Sequence, residues 1–201
     1  MKRMNTEEGF TGLEAAIVLI AFVVVAAVFS YVVLGAGFFT TQKAQEVVYT
    51  SVDQASSSVE ILGQVYGYGK DDGAGNYDSV DSIQFKVGLT AGGSPVDFSM
   101  TTLTLSTDTD VYRLNLTQKQ QVVATDIQQK EWGVIEIFNA GGATDLLLEN
   151  QEQFVILAKT ATGKELEANQ PFNLEIRPSV GASYAISRKI TPSINAVNVL
   201  N

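Results

Sequence analysis

The side chains of this chain that could do chemistry are carboxylates, lysines and tyrosines, because the sequence contains no cysteine and no histidine. That composition excludes cysteine nucleophiles, Ser-His-Asp triads and the usual zinc sites. It also excludes a disulfide framework, so an exported domain would be stabilised by its core alone. A glycosidase-like pair of carboxylates is conceivable, but no spacing selects two from the glutamates of the C-terminal half: Glu131, Glu136, Glu149, Glu152, Glu165 and Glu167. We therefore predict no catalytic residue, no metal site and no cofactor.

An acidic loop from Asp71 to Asp78, with the sequence DDGAGNYD, is dense in oxygen atoms. Calcium prefers such ligands, yet the EF-hand spacing and its closing glutamate are missing. We favour a solvated turn over a cation site.

Asn115-Leu116-Thr117 is the only N-x-[ST] sequence in the chain. Such a motif accepts an N-linked glycan when it is exported and exposed. The other interpretation of Asn115 is an ordinary asparagine at the end of a strand.

The balance of charge is acidic, with 13 Lys and Arg against 22 Asp and Glu and a net charge of −9. Sequence-independent binding to nucleic acid needs clustered cations facing the phosphates, so we predict no nucleic-acid partner. At 201 residues, the chain has room for one long helix and one globular domain.

The elements must be organised around a stretch without charge that lies between Glu14 and Lys43. It exceeds the length of about 20 apolar residues that spans a bilayer core. Lys2 and Arg3 precede this stretch, and no cation follows until Lys43. The positive-inside bias then predicts a cytoplasmic N-terminus and an exported remainder.

A helical pattern continues beyond the uncharged stretch, with apolar residues three and four positions apart. These residues are Ala44, Val47, Val48, Val52, Ala55, Val59 and Leu62. We predict one helix from about Thr11 to Leu62, with an apolar half followed by an amphipathic half. The pattern alone leaves two interpretations open: a helix that bundles with copies of itself, or a membrane anchor with a stalk that packs on its own head domain.

Five glycines between Gly63 and Gly75 predict the end of the helix and a Gly-rich linker at 64–80. From residue 81 the hydrophobic period changes to two, which is typical of strands. The predicted strands centre on 83–87, 96–100, 103–105, 111–116, 122–127, 132–138, 153–158, 172–176, 183–190 and 196–200. The expected fold class is therefore α+β: a long N-terminal helix followed by an antiparallel, immunoglobulin-like β-sandwich over 81–201.

The N-terminus combines a short polar leader ending in Gly9, an aromatic residue at Phe10, and Glu14 four residues later. A long apolar run follows. This combination resembles the class III signal of type IV pilin-like proteins. The stretch FTGLEAAIVLIAFVVVAAVFSYVVLGAGFFTTQKAQE, within residues 9–48, strongly resembles the N-terminal segment of archaeal flagellins (archaellins). The leader differs from many in having Glu7 and Glu8, where a basic residue often precedes the glycine.

The resemblance implies that residues 1–9 are a signal peptide, cut between Gly9 and Phe10 by a prepilin-type signal peptidase. Residues 10–63 would then form the filament core, and 81–201 the outer domain. The implied function is that of a structural subunit of the archaellum, a cell-surface filament for swimming. Its implied partners are copies of itself, with or without other archaellins, the cytoplasmic membrane during biogenesis, and a separate motor and assembly complex. The alternatives are an adhesive type IV-like pilin and a single-pass, membrane-anchored surface binding protein.

Glu14 has two compatible interpretations. A carboxylate beside a dry helix is costly unless it is paired, and cleavage after Gly9 would create a charged α-amino group at Phe10, one helical turn away. The resemblance implies that Glu14 guides subunits into register during assembly. The other interpretation is a carboxylate stabilised by the dipole at a helix N-terminus.

Overall fold

The computed structural model describes residues 6–142 and 144–200, with the backbone but not the side chains of residues 6–11, 53, 55 and 56. Lys2 and Arg3 of the predicted leader lie outside the described residues. The chain divides into two units, Met1–Thr50 and Ser51–Asn201.

The described part of the first unit lies within one helix, α1, which comprises the 51 residues Thr6–Ser56. Its sequence has no proline and is dominated by alanine, valine, leucine, isoleucine and phenylalanine. In a dry environment every backbone group must be satisfied within the segment, and an uninterrupted helix does this. At the standard rise, α1 is about 77 Å long.

The helix ends earlier than the apolar spacing predicts. Instead of continuing to Leu62, α1 stops at Ser56, and the chain enters a short strand, β1, Val59–Ile61. Val59 is buried and pairs with Leu89 rather than lying on a helical stripe. The physical reason is local, because the run Ser56-Ser57-Ser58 competes with helical hydrogen bonding and the residues after it are β-branched.

Twelve further strands follow β1 within the described residues. They are β2 Val65–Asp71, β3 Tyr77–Leu89, β4 Val96–Asp97, β5 Thr102–Thr107, β6 Val111–Leu116, β7 Glu131–Phe138, β8 Leu147–Leu148, β9 Gln153–Lys159, β10 Leu166–Glu167, β11 Pro171–Arg177, β12 Tyr184–Lys189 and β13 Val197–Leu200.

The Gly-rich linker predicted for residues 64–80 is absent, because β2 and the beginning of β3 occupy that segment. Its glycines permit close packing. A Cβ atom at Gly67 would lie 3.1 Å from the side chain of Leu200, and one at Gly69 would lie 2.6 Å from the carbonyl oxygen of Asn195. Glycine therefore lets β2 lie tightly against its neighbours, where composition alone suggested flexibility.

Eleven of the described strands join one sheet in the order β12-β11-β5-β6-β7-β9-β3-β2-β13, with β1 and β10 paired to β3. Strands β4 and β8 form a separate pair. The pairings are antiparallel except that of β6 with β7, which is parallel. The predicted class is confirmed: a long N-terminal helix is followed by a mostly antiparallel β domain.

One hydrophobic core unites residues from both ends of the strand order, such as Leu105 and Leu174 with Phe85 and Ile156. The sheet therefore closes over a common interior as a sandwich does. Phe98 lies in this core, and its ring makes edge-on contacts with Trp132 at 6.5 Å and with Phe154 at 5.5 Å between centroids.

Two predicted strands are wrong in detail. Residues 122–127 form a loop, in which Val122 and Ile127 are buried against Leu157 in a second, smaller cluster. Their burial produces an apolar pattern without strand pairing. In the segment 96–100, β4 covers two residues and a 3-10 turn follows at Phe98–Met100. The side chain of Asp97 caps that turn by accepting a hydrogen bond from the Ser99 amide at 2.8 Å.

Candidate assembly surface

The candidate site is the surface of α1, because its apolar side chains have no partners within the first unit. The segment Gly12–Val52 is long and apolar enough to cross a membrane, because it contains an 18-residue stretch with a mean hydropathy of 3.0, and no residue of the segment is buried. Its large apolar side chains are between 52% and 81% exposed. Since burying one such side chain is worth about 1.5–3 kcal/mol, this surface requires a dry partner.

The apolar surface surrounds the helix rather than forming a single stripe. Residues 15–42 carry no charge at all, so each side of this part of α1 presents alanine, valine, leucine, isoleucine or phenylalanine. A helix that packs on one neighbour needs an apolar stripe only. One that is apolar all round is buried on every side, by lipid or by several protein partners.

The hydroxyl groups of Thr40, Thr41 and Thr50 on α1 bond to the helix itself. The Thr40 hydroxyl donates to the Ala36 carbonyl at 2.8 Å, and the Thr41 hydroxyl donates to the Gly37 carbonyl at 2.9 Å. Thr50 donates to the Glu46 carbonyl at 2.9 Å. These bonds satisfy the hydroxyl donors without external partners, so the threonines can enter a dry interface at low cost.

The first charges beyond the uncharged run neutralise one another. The Lys43 ammonium lies 2.6 Å from the Glu46 carboxylate, one helical turn away. Together with the bonded threonines, this pair extends the surface that can be buried to 41 residues. That length corresponds to about 60 Å, whereas a bilayer core is about 30 Å thick.

These intrahelical contacts were missed by the sequence analysis. A threonine or serine four residues after alanine or glycine in a predicted helix is the signal that would find them.

Gly9, Phe10 and Glu14 all lie within the first turns of α1. The Glu14 side chain is exposed, while the Phe10 side chain and the surroundings of Gly9 lie outside the described part of the structure. Because α1 is continuous across these residues, positions 10 and 14 are one turn apart and on the same side of the helix. The structure thus brings the predicted cleavage position and the predicted assembly residue together.

Asn115 lies elsewhere, in β6 of the second unit, with its side chain exposed and the preceding Leu114 buried. Its backbone amide donates to the Lys130 carbonyl at 3.0 Å. The Thr117 hydroxyl of the same motif donates to the Glu131 carboxylate at 3.2 Å and to the Trp132 carbonyl at 3.1 Å. The asparagine is therefore accessible, whereas the threonine is held in the β6–β7 pairing.

The acidic loop forms a turn between β2 and β3, in which the carboxylates bind backbone amides. Asp71 accepts hydrogen bonds from the amides of Gly73 at 2.8 Å and Gly75 at 3.1 Å. Asp72 accepts one from the amide of Ala74 at 2.7 Å, and this bond, with those from Asn76, lowers the pKa of Asp72. Among the described residues no group of three or more acidic side chains is arranged to hold a metal ion. The geometry agrees with the turn interpretation.

Three of the glutamates that the sequence offers as a possible catalytic pair each make a separate structural contact. Glu131 binds the Thr117 hydroxyl, Glu152 accepts from the Glu149 amide at 2.9 Å, and Glu165 pairs with Lys70 at 2.7 Å. The Lys70 ammonium holds the pKa of Glu165 below its usual value.

Comparison with known proteins gives concordant results along almost the whole chain. A family model described as archaeal-type flagellin matches residues 9–188. A protein named probable flagellin 1, from Archaeoglobus fulgidus, is 42% identical over 204 residues, covering 100% of this chain and 98% of that protein. The 24 kDa flagellin of Methanospirillum hungatei is 91% identical over 32 residues, which are 16% of this chain and 100% of that sequence.

Two solved structures are similar as well. The archaeal flagellum of Methanospirillum hungatei strain JF1 contains a chain that is 35% identical with a TM-score of 0.71, covering 94% of this chain and 99% of that one. A crystal structure of a flagellin from Methanocaldococcus jannaschii matches at 16% identity with a TM-score of 0.57, covering 71% of this chain and 95% of that one, which supports the fold alone.

Proposed function

This chain belongs to the archaeal-type flagellin family, and we propose on this basis that it is the structural subunit of an archaellum, the swimming filament of archaea. Copies of α1 form the filament core, and the β domains form its outer surface. The observation that carries this proposal is the helix surface from Gly12 to Val52, apolar on all sides over the uncharged run and buried nowhere in the described chain. Copies of the same helix supply that surface with dry neighbours in every direction.

The length of this surface favours a protein environment over a permanent membrane anchor. A bilayer core of about 30 Å accommodates about 20 residues, roughly half of the apolar segment. The remaining turns, with their bonded threonines and the Lys43–Glu46 pair, would face water in a permanent anchor. In a filament the entire segment is covered.

We further propose that the chain is made as a precursor in the cytoplasmic membrane and that residues 1–9 are a signal peptide. A prepilin-type signal peptidase cuts between Gly9 and Phe10, leaving the whole apolar surface on the mature subunit. The family match that begins at residue 9 supports this position. The mature subunit then leaves the bilayer for an extracellular filament, which a separate motor and assembly complex builds and rotates.

Glu14 is proposed to guide assembly. Its carboxylate is exposed and lies one helical turn from position 10, where cleavage creates a positively charged amino group. The carboxylate compensates that charge on its own or a neighbouring subunit as both enter the dry core. This pairing fixes the axial position of each helix, because an unpaired charge there is costly.

Asn115 is proposed as an N-glycosylation site on the outer domain. The evidence is its exposed side chain within an N-x-[ST] motif, since the export topology brings that motif outside the cell.

Filament formation is tested by shearing cells that carry this chain as their only archaellin and imaging the released material by electron microscopy. We expect long helical filaments composed of this chain, and a deletion strain that no longer swims but still attaches to surfaces. Absence of filaments would refute the proposal, and loss of attachment with normal swimming would indicate an adhesive pilin.

Processing is tested by N-terminal sequencing of the mature subunit, which should begin at Phe10. Gly9→Val should block cleavage and give a slower-migrating precursor, whereas the matched variant Gly12→Val should be cut normally. A mature chain that begins at Met1 would overturn the filament proposal.

The role of Glu14 is tested with Glu14→Gln, which keeps the size of the side chain and removes its charge. We expect a lower filament yield with a folded β domain, while Glu60→Gln, at an exposed position of β1, leaves the yield unchanged. A normal yield with Glu14→Gln would exclude the role in assembly.

A further inference from the structure

The uncharged part of α1 contains very few groups that form hydrogen bonds. From Ala15 to Phe39, the polar side chains are those of Ser30 and Tyr31 alone. The Tyr31 side chain is 81% exposed, the largest exposure among the large hydrophobic residues of the described chain. A phenol hydroxyl in the middle of an otherwise apolar surface requires a partner when that surface is buried.

The described residues do not supply that partner. Among the described residues, none is in hydrogen-bonding contact with the Tyr31 hydroxyl, in contrast to the threonine hydroxyls at 40 and 41, which bond to their own helix. The aromatic ring carries the tyrosine hydroxyl away from its own backbone. The charged residues at either end are distant, with Glu14 about 26 Å and Lys43 about 18 Å away along the axis.

We infer that Tyr31 sets the register of the filament core by a hydrogen bond from its hydroxyl to an acceptor on a second copy of α1. This inference rests on the proposed function, because only copies of this chain cover the middle of α1 in a filament. Apolar packing of valine, leucine and phenylalanine tolerates axial sliding of one helix along another. A polar group that must lie against its hydrogen-bond partner does not tolerate such sliding. One buried polar residue is known to fix the register of helical assemblies.

A bilayer offers a competing explanation for the same residue. Tyr31 lies far enough from Glu14 to reach the outer interface of a membrane-inserted precursor, where tyrosine is enriched. That explanation predicts an effect on the precursor only. The filament explanation is favoured because the mature helix is buried on all sides, so the hydroxyl loses access to interfacial water.

The experiment compares Tyr31→Phe with Tyr184→Phe, each in a strain whose only archaellin is this chain. Both variants remove one hydroxyl from an exposed tyrosine, but Tyr184 lies in β12 of the β domain, outside the helix surface that the filament core would bury. The readout is the temperature at which sheared filaments dissociate, together with the helical parameters from electron cryo-microscopy.

We expect Tyr31→Phe filaments to dissociate at a lower temperature, with a subunit association constant reduced about two- to tenfold by the loss of one hydrogen bond. Tyr184→Phe filaments should match the wild type. If Tyr31→Phe matches the wild type too, the inference is wrong. It is equally wrong if the variant lowers only the amount of membrane-inserted precursor, while the filaments that form dissociate normally.

A map of the wild-type filament provides a second test, which remains decisive if Tyr31→Phe forms no filaments. The hydroxyl of Tyr31 should lie within hydrogen-bonding distance of an acceptor on another copy, and a hydroxyl facing a water-filled channel would overturn the inference. Failure of the wild-type chain to form filaments would instead refute the proposed function.

Discussion

Replacement of Gly181 by alanine should strongly destabilise the β domain. Gly181 has a φ of +103°, and a Cβ atom at this position would overlap the Ser57 carbonyl oxygen and lie 2.9 Å from the Ser57 Cβ. Ser57 is buried, and its carbonyl accepts a hydrogen bond from the Ala182 amide at 3.2 Å. The new methyl group would therefore push apart the segment that follows α1 and the loop that covers it.

The expected loss is the sum of two effects. A non-glycine residue in the left-handed region costs about 1–2 kcal/mol. Displacement of Ser57 breaks its bond to Ala182, and an intramolecular hydrogen bond contributes about 0.5–1.5 kcal/mol. The free energy of unfolding should fall by about 1.5–3.5 kcal/mol, a large part of the roughly 5–15 kcal/mol that stabilises a typical domain.

Urea unfolding of the full chain in detergent micelles measures this loss. Trp132 is the only tryptophan and is fully buried in the core of the β domain, so its fluorescence reports unfolding of that domain while the detergent covers α1. The matched control is Gly92→Ala, because Gly92 also has a positive φ, +80°, but nothing lies within 4 Å of the added methyl.

Gly92→Ala should lose only the backbone contribution of about 1–2 kcal/mol. If the two variants unfold at the same urea concentration, the close approach of Gly181 to Ser57 does not contribute to stability, and the predicted difference is refuted.

Three further outcomes are expected. In mass spectrometry, Asn115→Gln should lower the mass of the subunit by that of a glycan. Because the site is exposed, the substitution should change the free energy of unfolding by less than about 0.5 kcal/mol. A wild-type subunit of unmodified mass would contradict the assignment of a glycan to Asn115. Thr40→Val should leave filament yield unchanged, since its hydroxyl bonds within the helix, and a reduced yield would reveal a partner on another subunit. The Glu165 carboxylate has a lowered pKa beside Lys70, so it stabilises the fold above its unfolded pKa near 4.5 and this contribution is lost as pH falls through the folded value. Glu165→Gln should accordingly show a smaller loss of stability than the wild type between about pH 6 and about pH 3, and equal losses would contradict it.

The existence of α1 follows from the sequence, because a long run without charge or proline has few other structures available to it. The position at which α1 ends does not follow from the sequence. Val59 lies four positions after Ala55 and Leu62 three after Val59, which fits a helical stripe. Val59 and Ile61 also flank the polar Glu60, which fits the alternation of a short strand. Pairing with β3 decides between them, and that pairing is a tertiary effect.

The glycines of β2 illustrate a second limit. Gly67 and Gly69 predict a flexible linker by composition, yet they lie where side chains of other segments approach the backbone closely. The sequence alone does not distinguish a glycine that permits close packing from a glycine that permits motion.

Candidate residues were predictable where the relevant contacts are local along the chain. Glu14 and Phe10 are one helical turn apart in any helix, so their proximity needs no tertiary information. The surroundings of Asn115 were not predictable, because Thr117 is held by Glu131 and Trp132 across the parallel β6–β7 pair. No local pattern encodes a parallel pairing between strands so close in sequence.

The internal satisfaction of polar groups on α1 explains how one helix can suit two environments. Thr40 and Thr41 bond to their own backbone and Lys43 pairs with Glu46, so these residues require nothing specific from a bilayer or from another subunit. Under the proposed function, transfer from lipid to a filament core would exchange one apolar environment for another with little change in solvation. Because this surface makes few specific contacts, it does little to fix the axial position of one helix relative to its neighbours. We therefore propose that the alignment comes from the Glu14 carboxylate at one end and the Tyr31 hydroxyl in the middle.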